Sequence, residues 1–285
     1  MELLKIAGVS RGSEFSPNHV DNDAAIFNKV VEVLQRLGCE VQTYTEKEFI
    51  AAEVKASVIF DMARDKATIA KLKEMEKAGA LVVNSAFGID NCVRRPMTEK
   101  LIDGGIPHPK SYVVSTDEAS FPDNFYPCWI KRGDSHAMVK EDVCYVTNKS
   151  EADAVLTDFR TRNIPTAVIN EHLRGDLIKF YGVQNTGFFY WFYPSPCFHS
   201  KFGLEAINGM AKGIHFSEEK LKQYCEQASV ALNVPVYGGD CVVSTDGKIK
   251  IIDFNDWPSF ARCREEAGEN IAAYIFTQAK NKMNR

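Results

Sequence analysis

Residues 239–253 read GDCVVSTDGKIKIID, which predicts a strand, a tight turn and a second strand. Asp246 and Gly247 form a dipeptide that strongly favours a two-residue hairpin turn. Counting outward from that turn places Asp240 directly opposite Asp253, with both side chains on one face of the hairpin. Opposed residues lie about 4.5 to 5.5 Å apart at Cβ, where like charges destabilise the pair, so we expect a positive group between them.

Asn255 follows Asp253 by two residues and therefore returns to the same face of the strand. Two carboxylates and one amide oxygen make an all-oxygen, anionic cluster, which suits Mg²⁺ or Mn²⁺ better than zinc. Magnesium usually bridges to substrate phosphates, so the predicted ligands Asp240, Asp253 and Asn255 indicate a nucleotide. The alternative is that Asp253 and Asp256 are solvated residues at a strand end and that the register is different.

The composition is that of an ordinary globular protein with room for two or three lobes: 285 residues, 45% hydrophobic and 25% charged. A net charge of -4 and a pI near 5.9 argue against nucleic acid as the main partner. No window approaches the roughly 18 to 20 apolar residues of a membrane span, and no secretory signal is evident. Eight cysteines without a C-x-x-C pair favour reduced thiols and hence a cytoplasmic protein. The lack of a long apolar window predicts that a membrane is not a partner.

The amino-terminal part of the chain alternates predicted strands with helical patterns, and Gly38 ends the first helix. The predicted strands are 3–9, 40–44, 57–61 and 80–84. Such alternation implies a parallel sheet, whose ligands collect at the carboxyl ends of the strands. Loop 10–16 and Arg64 follow two of these strands, so we expect them at a substrate edge, unless they are a solvated loop and a surface arginine. Neither G-x-G-x-x-G nor G-x-x-x-x-G-K-[ST] occurs, which disfavours dinucleotide oxidoreductases and P-loop enzymes.

The spacing of the predicted ligands resembles the metal-binding end of the ATP-grasp superfamily. In that family an acid on one strand is followed by acid-x-Asn-x-x-Pro on the next. Here Asp240 is followed thirteen residues later by Asp253, and then by Asn255 and Pro258. The family usually has Glu where this chain has Asp253, a mild departure because Asp coordinates metals similarly. The resemblance implies Mg²⁺ (or Mn²⁺) at these residues and ATP as the nucleotide.

Two further segments are similar to the phosphate-binding half of the family. Arg94 and Arg95 stand where the family commonly has Lys, ahead of a helix that ends in Gly-Ile-Pro-His-Pro at 105–109. The sequence does not tell which arginine aligns. The strand 126–131 ends in Lys131 and leads into a loop like the one that folds over phosphates in the family. The resemblance implies ATP contacts from Arg94, Arg95, Lys131, Ser135 and His136.

Residues 167–183 resemble the connection between the two grasping lobes of the family. In the family, a backbone segment there reads the adenine edge, an acid binds the ribose hydroxyls, and a basic residue on the next strand contacts phosphate. By this match Glu171 and Leu173 lie at the adenine, Asp176 at the ribose and Lys179 at the phosphates. Taken singly, Glu171 also fits an exposed carboxylate at a strand end, and Lys179 an ordinary strand residue.

The resemblance implies an α/β protein with α+β lobes: an ATP-grasp fold with an amino-terminal, Rossmann-like parallel-sheet domain. The predicted domains are 1–88, the pre-ATP-grasp domain, 89–168, the small grasp lobe, and 169–285, the large grasp lobe with the metal site. The implied function is ATP- and Mg²⁺-dependent ligation, in which a small-molecule or peptide carboxylate becomes an acylphosphate that an amine captures. Lys179 and Arg262 are the predicted catalytic residues. Lys179 would neutralise the charge that develops on the phosphates, and the guanidinium of Arg262 can hold a carboxylate or phosphate bidentately, unless it is a solvated surface arginine.

Two other functions stay open at this point. An ATP-grasp kinase, similar to the inositol phosphate kinases, would phosphorylate a hydroxyl at the same site, and the strand around Lys179 is compatible with that. The departures at Arg94 and Asp253 also leave room for a nucleotide-binding module without turnover. The sequence names neither the acid nor the amine, and it leaves a homodimer open.

Overall fold

The computed structural model describes residues 3–16, 19–194 and 207–284. These residues form three four-stranded sheets, of which the first is parallel and the other two are antiparallel. The protein is therefore a mixed α/β protein with an amino-terminal parallel sheet, as the sequence predicts. Among the helices of the described residues, none is both long enough and apolar enough to cross a membrane.

The first sheet has the strand order β2-β1-β3-β4, and all its strands run parallel. Strand β3 is buried along its whole length, because helices cover both faces of a parallel sheet. Helix α1 ends as predicted: Gly38 takes φ +85°, the left-handed conformation that terminates many helices. The elements are β1 Lys5–Ser10, α1 Val20–Arg36, β2 Glu40–Thr45, α2 Glu46–Ala51, β3 Val58–Asp61, α3 Lys66–Lys77, β4 Leu81–Val83 and α4 Ala86–Asn91.

The second sheet has the order β5-β8-β6-β7 and is antiparallel throughout. Helix α6 covers one face, where Leu156 and Phe159 pack with Ile130 and Ile169. Strand β8 pairs with β5 and β6 from end to end, so the predicted boundary between residues 168 and 169 lies inside a strand. The elements are α5 Arg94–Asp103, β5 Ser111–Ser115, β6 Cys128–Arg132, β7 Val143–Val146, α6 Lys149–Thr161 and β8 Thr166–Glu171.

The third sheet has the order β10-β9-β11-β12 and is also antiparallel. Helix α7 packs Leu221 and Cys225 into the core beneath it. The last helix, α8, packs instead on α1, where Ile271 shares a core with Val30 and Leu34. The elements are β9 Asp176–Val183, β10 Phe189–Phe192, α7 Glu218–Leu232, β11 Val236–Val243, β12 Ile249–Asp256 and α8 Arg264–Met283.

The turn between β11 and β12 has three central residues, not the predicted two. Gly247 N–H donates to Ser244 O at 2.8 Å, and Gly247 takes φ +76°. A three-residue hairpin turn needs a left-handed last residue, and glycine adopts that conformation without a steric penalty. Consequently Val243 pairs with Ile249, one residue away from the predicted partner.

Asp240 nevertheless lies opposite Asp253, as the sequence predicts. A β-bulge between Asp240 and Cys241 shifts the pairing by one residue and cancels the effect of the longer turn. Asn255 pairs with Gly238 and lies on the same face as Asp253, because two residues separate them along the strand. The three predicted metal ligands therefore come together at one end of the third sheet.

Candidate functional site

A cavity of about 720 Å³ lies where the three sheets meet. Arg11 and Arg64, just beyond β1 and β3, line it from the first sheet, so the carboxyl edge of that sheet faces the cavity as predicted. The volume is that of an ordinary small-molecule site. All but two of the predicted site residues line it: Arg94, Lys131, Ser135, His136, Glu171, Leu173, Lys179, Asp240, Asp253, Asn255 and Arg262.

Each of the two opposed acids has a cationic partner within the protein. Lys179 Nζ lies 3.0 Å from Asp240 Oδ1, and Arg94 Nη1 lies 2.7 Å from Asp253 Oδ1. Burial acts to raise the pKa of Asp253, but the charges of Arg94 and Lys131 outweigh it and hold that pKa below its ordinary value. The positive charge expected between the acids is thus supplied by side chains. The opposed acids do not by themselves require a metal.

Asp240, Asp253 and Asn255 nevertheless offer a donor set that fits Mg²⁺, because all three supply oxygen to the same cavity. Asn255 Nδ2 donates to Asp253 Oδ2 at 3.2 Å, which orients the amide. Within the described residues, no group of three or more His, Cys, Asp or Glu side chains could hold a metal. A metal here would depend on the Asn255 amide and on oxygens that a ligand brings.

The charge of this cluster favours a metal that arrives together with phosphate. Arg94 and Lys179 already balance the charges of Asp253 and Asp240. A lone dication would therefore find little net negative charge to attract it. A dication bound to a triphosphate brings its own excess of negative charge, which the cations of the cavity attract. The site is suited to a metal–nucleotide complex rather than to a resident ion.

Lys131 is almost fully buried, with 7% of its surface exposed. Its Nζ donates to Ile252 O at 3.5 Å, which is a long contact. Burial, helped by the charge of Arg94, lowers the pKa of Lys131 to about 7 against the attraction of Asp253 and Asp240. An approaching anion favours the ammonium form, so Lys131 is suited to a phosphate contact.

The predicted phosphate-covering loop follows β6 and reaches the cavity through Ser135 and His136. Gly133 fixes the start of the loop: its N–H donates to Thr166 O at 2.8 Å, and its carbonyl accepts from Arg95 N–H at 3.0 Å. Burial above all lowers the pKa of His136 to about 3, so the ring is neutral. His136 Nε2 is buried without a hydrogen-bond partner among the described groups, so a ligand or a water is its expected partner.

Glu171 and Leu173 line the cavity on the segment that leaves β8. The Glu171 carboxylate accepts from Lys110 N–H at 2.8 Å and forms an ion pair with Lys250 of β12. Burial acts to raise the pKa of Glu171, but these partners outweigh it and hold that pKa below its ordinary value. Glu171 is therefore an ordered part of the cavity wall and not a freely solvated carboxylate.

Asp176 is one of the two predicted site residues that the structure does not bring to the cavity. It is 2% exposed, and its two carboxylate oxygens accept from Lys212 N–H and Ile214 N–H, each at 2.8 Å. Both oxygens are thus used to hold the segment that precedes α7. The predicted ribose contact of Asp176 therefore has no support in the geometry.

Arg95 is the other exception, and its neighbour Arg94 resolves the alignment that the sequence left open. Helix α5 begins at Arg94, whose guanidinium turns into the cavity toward Asp253. Consecutive helical residues point about 100° apart, so Arg95 is exposed and pairs with Glu99 one turn later at 2.9 Å. Of the two arginines, only Arg94 lies at the site.

Arg262 lines the cavity near the end of the third sheet. Its guanidinium lies 4.4 Å from the centroid of the Phe192 ring, within the range of a cation–π contact. A guanidinium in such a contact can still bind a carboxylate through its N–H groups. The position of Arg262 is therefore compatible with the predicted substrate contact.

Asp256 is a residue whose role the sequence did not show. The sequence suggests only a solvated acid at a strand end, yet 1% of its side chain is exposed and it forms an ion pair with Arg64. The one signal in the sequence is that Asp256 ends an apolar strand. An acid buried there needs a partner. The partner lies 192 residues away, and no local pattern reveals such a contact.

No protein-family model matches the chain, and no curated protein matches it in sequence. Solved structures do match along nearly its whole length. The D-alanine–D-alanine ligase from Bacillus anthracis complexed with ATP has a TM-score of 0.69 at 12% identity, covering 99% of this chain and 100% of that one. D-alanyl-alanine synthetase A from Vibrio cholerae has a TM-score of 0.70 at 11% identity, covering 100% of both chains. The ATP-grasp ligase PsnB complexed with a precursor peptide and AMPPNP has a TM-score of 0.63 at 15% identity, covering 98% and 100%.

The chain has the ATP-grasp fold. The resemblance inferred from Asp240, Asp253, Asn255 and Pro258 is thus confirmed at the level of the fold. Identities of 11 to 15% carry no more than that. The chemistry of this chain therefore depends on its own residues.

Proposed function

We propose that this ATP-grasp protein is an ATP- and Mg²⁺-dependent carboxylate–amine ligase. One observation carries the proposal: an all-oxygen cluster and a set of cations meet in a single cavity. Phosphoryl transfer needs this combination, because catalysis consists largely of positioning the phosphates and stabilising their charge. The oxygen ligands are Asp240, Asp253 and Asn255. The cations are Arg94, Lys131 and Lys179.

The three cations act on the phosphates. In the structure, Lys179 pairs with Asp240 and Arg94 pairs with Asp253. Once Mg²⁺ balances the charges of the two acids, Lys179 and Arg94 become available to the phosphates. Lys131, buried on β6, stabilises the charge that develops as the γ-phosphoryl group moves to the substrate carboxylate. Bound Mg²⁺ supplies further positive charge to the phosphate oxygens when Asp240, Asp253 and Asn255 hold it.

The remaining residues hold the substrate and exclude water. The loop with Ser135 and His136 covers the reacting groups, which matters because water would hydrolyse an acylphosphate before an amine captured it. Arg262, stacked on Phe192, contacts the substrate carboxylate. Glu171 and Leu173 border the nucleobase. The reaction requires no covalent enzyme intermediate.

The names of the similar structures support an amino acid or a peptide as the substrate. Two of them are ligases of D-alanine, and the third is complexed with a precursor peptide. We propose the same broad class, a small-molecule or peptide carboxylate and an amine, for this chain. The individual acid and amine are left to experiment.

The deciding experiment measures ADP release from ATP and Mg²⁺ with amino acids and dipeptides as substrates, and with hydroxylamine as a trap. A ligase releases ADP only when an acid is present, loses that release in EDTA, and yields the hydroxamate of the acid. A stable phosphate ester would identify a kinase instead. Thermal stabilisation by Mg·ATP without any release of ADP would identify a binding module.

We also propose a division of the chain that follows the sheets. The predicted lobes 1–88, 89–168 and 169–285 are kept, except that the boundary at 168 moves to the end of β8 at Glu171, because that strand belongs wholly to the second sheet. A homodimer and a cytoplasmic location stay predictions. Analytical ultracentrifugation of the purified chain tests the first of them.

A further inference from the structure

Two arginines at the carboxyl edge of the first sheet bind the carbonyls of two consecutive residues, the last of β12 and the one after it. Arg11, just after β1, donates from Nη2 to Trp257 O at 3.0 Å. Arg64, beyond β3, donates from Nη2 to Asp256 O at 3.3 Å. We call Arg11 and Arg64 together the arginine clamp. It joins the edge that was expected to bind substrate to the strand that carries the proposed metal ligands.

A third strand of the first sheet adds a bond to the same region. Asn84, which follows β4, donates from Nδ2 to Val236 O at 2.7 Å and accepts from Val236 N–H at 2.9 Å. Val236 O also accepts from Trp257 N–H at 3.0 Å. The first residue of β11 and the residue after β12 are thus tied to each other and to the first sheet.

Each guanidinium of the arginine clamp donates three hydrogen bonds to protein groups. Arg11 also donates to Asp23 Oδ2 at 3.0 Å and to Met62 O at 3.1 Å, and Arg64 also forms an ion pair with the Asp256 carboxylate. Only 10% and 13% of the two side chains are exposed. An arginine that recognises a substrate anion needs outward-facing donors, so these contacts indicate a structural attachment instead.

The chain bound by the clamp is strained. Trp257 takes φ +38° and Phe260 takes φ +49°, in the left-handed region that bulky side chains rarely adopt. Trp257 is fully buried and stacks on Phe60 of β3, with centroids 6.0 Å apart. Such backbone persists only where the surroundings over-determine it, and it concentrates at functional sites. The clamp and the Trp257 stack are the surroundings that do so here.

Strand geometry connects this anchor to the proposed chemistry. Asp253 and Asn255 lie two residues apart on one face of β12, whereas Asp256, an odd number of residues from Asp253, forms an ion pair with Arg64 and has 1% of its side chain exposed. We propose that the arginine clamp is a pair of positioning residues, which fix the end of β12 and so hold Asp253 opposite Asp240 and Asn255 on the same face of the strand. The inference rests on the proposed function, because it assumes that these three residues bind a metal with ATP.

The test compares AMPPNP affinity in Mg²⁺ with AMPPNP affinity in EDTA for the Arg64→Gln and Arg11→Gln variants. We expect Mg²⁺ to raise the AMPPNP affinity of each variant about tenfold less than it raises that of wild type. This is the effect of losing one or two hydrogen bonds that hold a ligand group. The AMPPNP affinity of each variant in EDTA should stay within about twofold of the wild-type value. A residue that contacts the phosphates directly would lose affinity in both conditions.

A double-mutant cycle separates positioning from other effects. In an Asp253→Asn background, adding Arg64→Gln should change the Mg²⁺-dependent gain no further, because the ligand through which Arg64 acts is already gone. Arg36→Gln is the matched control. Arg36 also forms an ion pair with an acid of another element, Glu269, but it is exposed and does not line the cavity. Arg64→Lys keeps the charge, and we expect an intermediate loss. Additive losses, or wild-type behaviour of both clamp variants, overturn the proposal.

Hydrogen exchange provides a readout that needs no nucleotide. In Arg64→Gln the amides of residues 254–260 should exchange faster than in wild type and in Arg36→Gln, while those of β8 keep their rates. Unchanged exchange at 254–260 overturns the proposal by itself. If wild type shows no Mg²⁺-dependent binding of AMPPNP, the proposed function fails, and this measurement still decides whether the clamp holds the strand.

Discussion

Two arginine–aspartate pairs on one strand, Arg94–Asp253 and Arg64–Asp256, have the same chemistry but different surroundings. Asp253 is 26% exposed and faces the cavity, whereas Asp256 is 1% exposed and faces the first sheet. An ion pair that water and ligands can reach can exchange its partner. A sealed pair is costly to break, because the charge that remains cannot be solvated. The comparison teaches that access to water, not residue type, separates a reactive carboxylate from an anchoring one.

Breaking the cavity-facing pair should have the largest effect, and the effect should be on catalysis. In Asp253→Asn we expect ADP release to fall by about a thousandfold, the loss expected when a group that stabilises transition-state charge is removed. The free energy of unfolding should fall by less than in Asp256→Asn, since Asp253 is 26% exposed and its carboxylate is the better solvated of the two. Steady-state kinetics and urea unfolding measure the two. Retained Mg²⁺-dependent turnover would refute the metal assignment.

Breaking the sealed pair should reverse that profile. Asp256→Asn leaves the Arg64 guanidinium buried without its counter-charge, so we expect the free energy of unfolding to fall by about 3 to 5 kcal/mol. Urea unfolding of Asp256→Asn beside Asp253→Asn is the measurement. If Asp253→Asn proved the less stable of the two, the contrast between the pairs would be wrong.

A glycine of β11 tests how closely the two strands must approach. A Cβ on Gly239 would lie 2.2 Å from Asp253 O and 2.7 Å from Phe180 Cζ. Because the first atom is backbone, Gly239→Ala should force the strands apart, cost about 1 to 3 kcal/mol of stability and weaken Mg²⁺-dependent nucleotide binding. Gly104→Ala is the control, since nothing lies closer than 3.1 Å to its Cβ. Equal behaviour of the two variants contradicts the prediction.

Proton linkage should show that Lys131 meets phosphate. Its pKa of about 7 lies below the ordinary value of 10.5, so the folded protein binds fewer protons than the unfolded chain between those pH values. The contribution of Lys131 to stability therefore rises with pH across that window. Bound triphosphate favours the ammonium, so at pH 8.5 binding of Mg·ATP should take up close to one proton, about 0.96 if the pKa returns to its ordinary value.

Calorimetry in buffers of different ionisation enthalpy measures this proton uptake. The variant Lys131→Met should bind Mg·ATP more weakly than wild type and take up fewer protons on binding. The same uptake in wild type and variant would assign the proton to another group.

Arg95 should give the smallest effect. Its side chain is 53% exposed and pairs only with Glu99 on its own helix among the contacts described, so Arg95→Gln should leave stability and nucleotide affinity unchanged. Arg94→Gln, measured beside it, should weaken Mg·ATP binding clearly. Equal losses in the two variants would place both arginines at the phosphates.

The opposed acids show how far a local pattern reaches. Alternation and a turn signal predict that Asp240 and Asp253 face each other, and they do. The predicted two-residue turn is nevertheless wrong, and a bulge compensates for it. Bulges depend on how a strand packs against its neighbours, and no periodicity in one segment encodes that. The agreement at this pair is therefore partly fortuitous.

The sequence alone does not show which of two adjacent or similarly placed residues faces the site. Arg94 and Arg95 have equal claims by alignment, and Asp176 and Glu171 are both acids near the lobe connection. The structure turns Arg94 inward and Arg95 outward, and it gives Asp176 to two backbone amides. Such choices depend on what lies opposite each side chain, which is decided by distant parts of the chain.

The sequence by itself determined the parallel sheet, the strands of the hairpin and the facing positions of Asp240 and Asp253, because periodicity and short spacings act between near neighbours. The tertiary structure alone decided that the opposed acids are balanced by Lys179 and Arg94, and that Arg64 anchors Asp256. These pairs join residues 61, 159 and 192 positions apart. Contacts over such separations form only when whole sheets pack together, and burial then sets their strength.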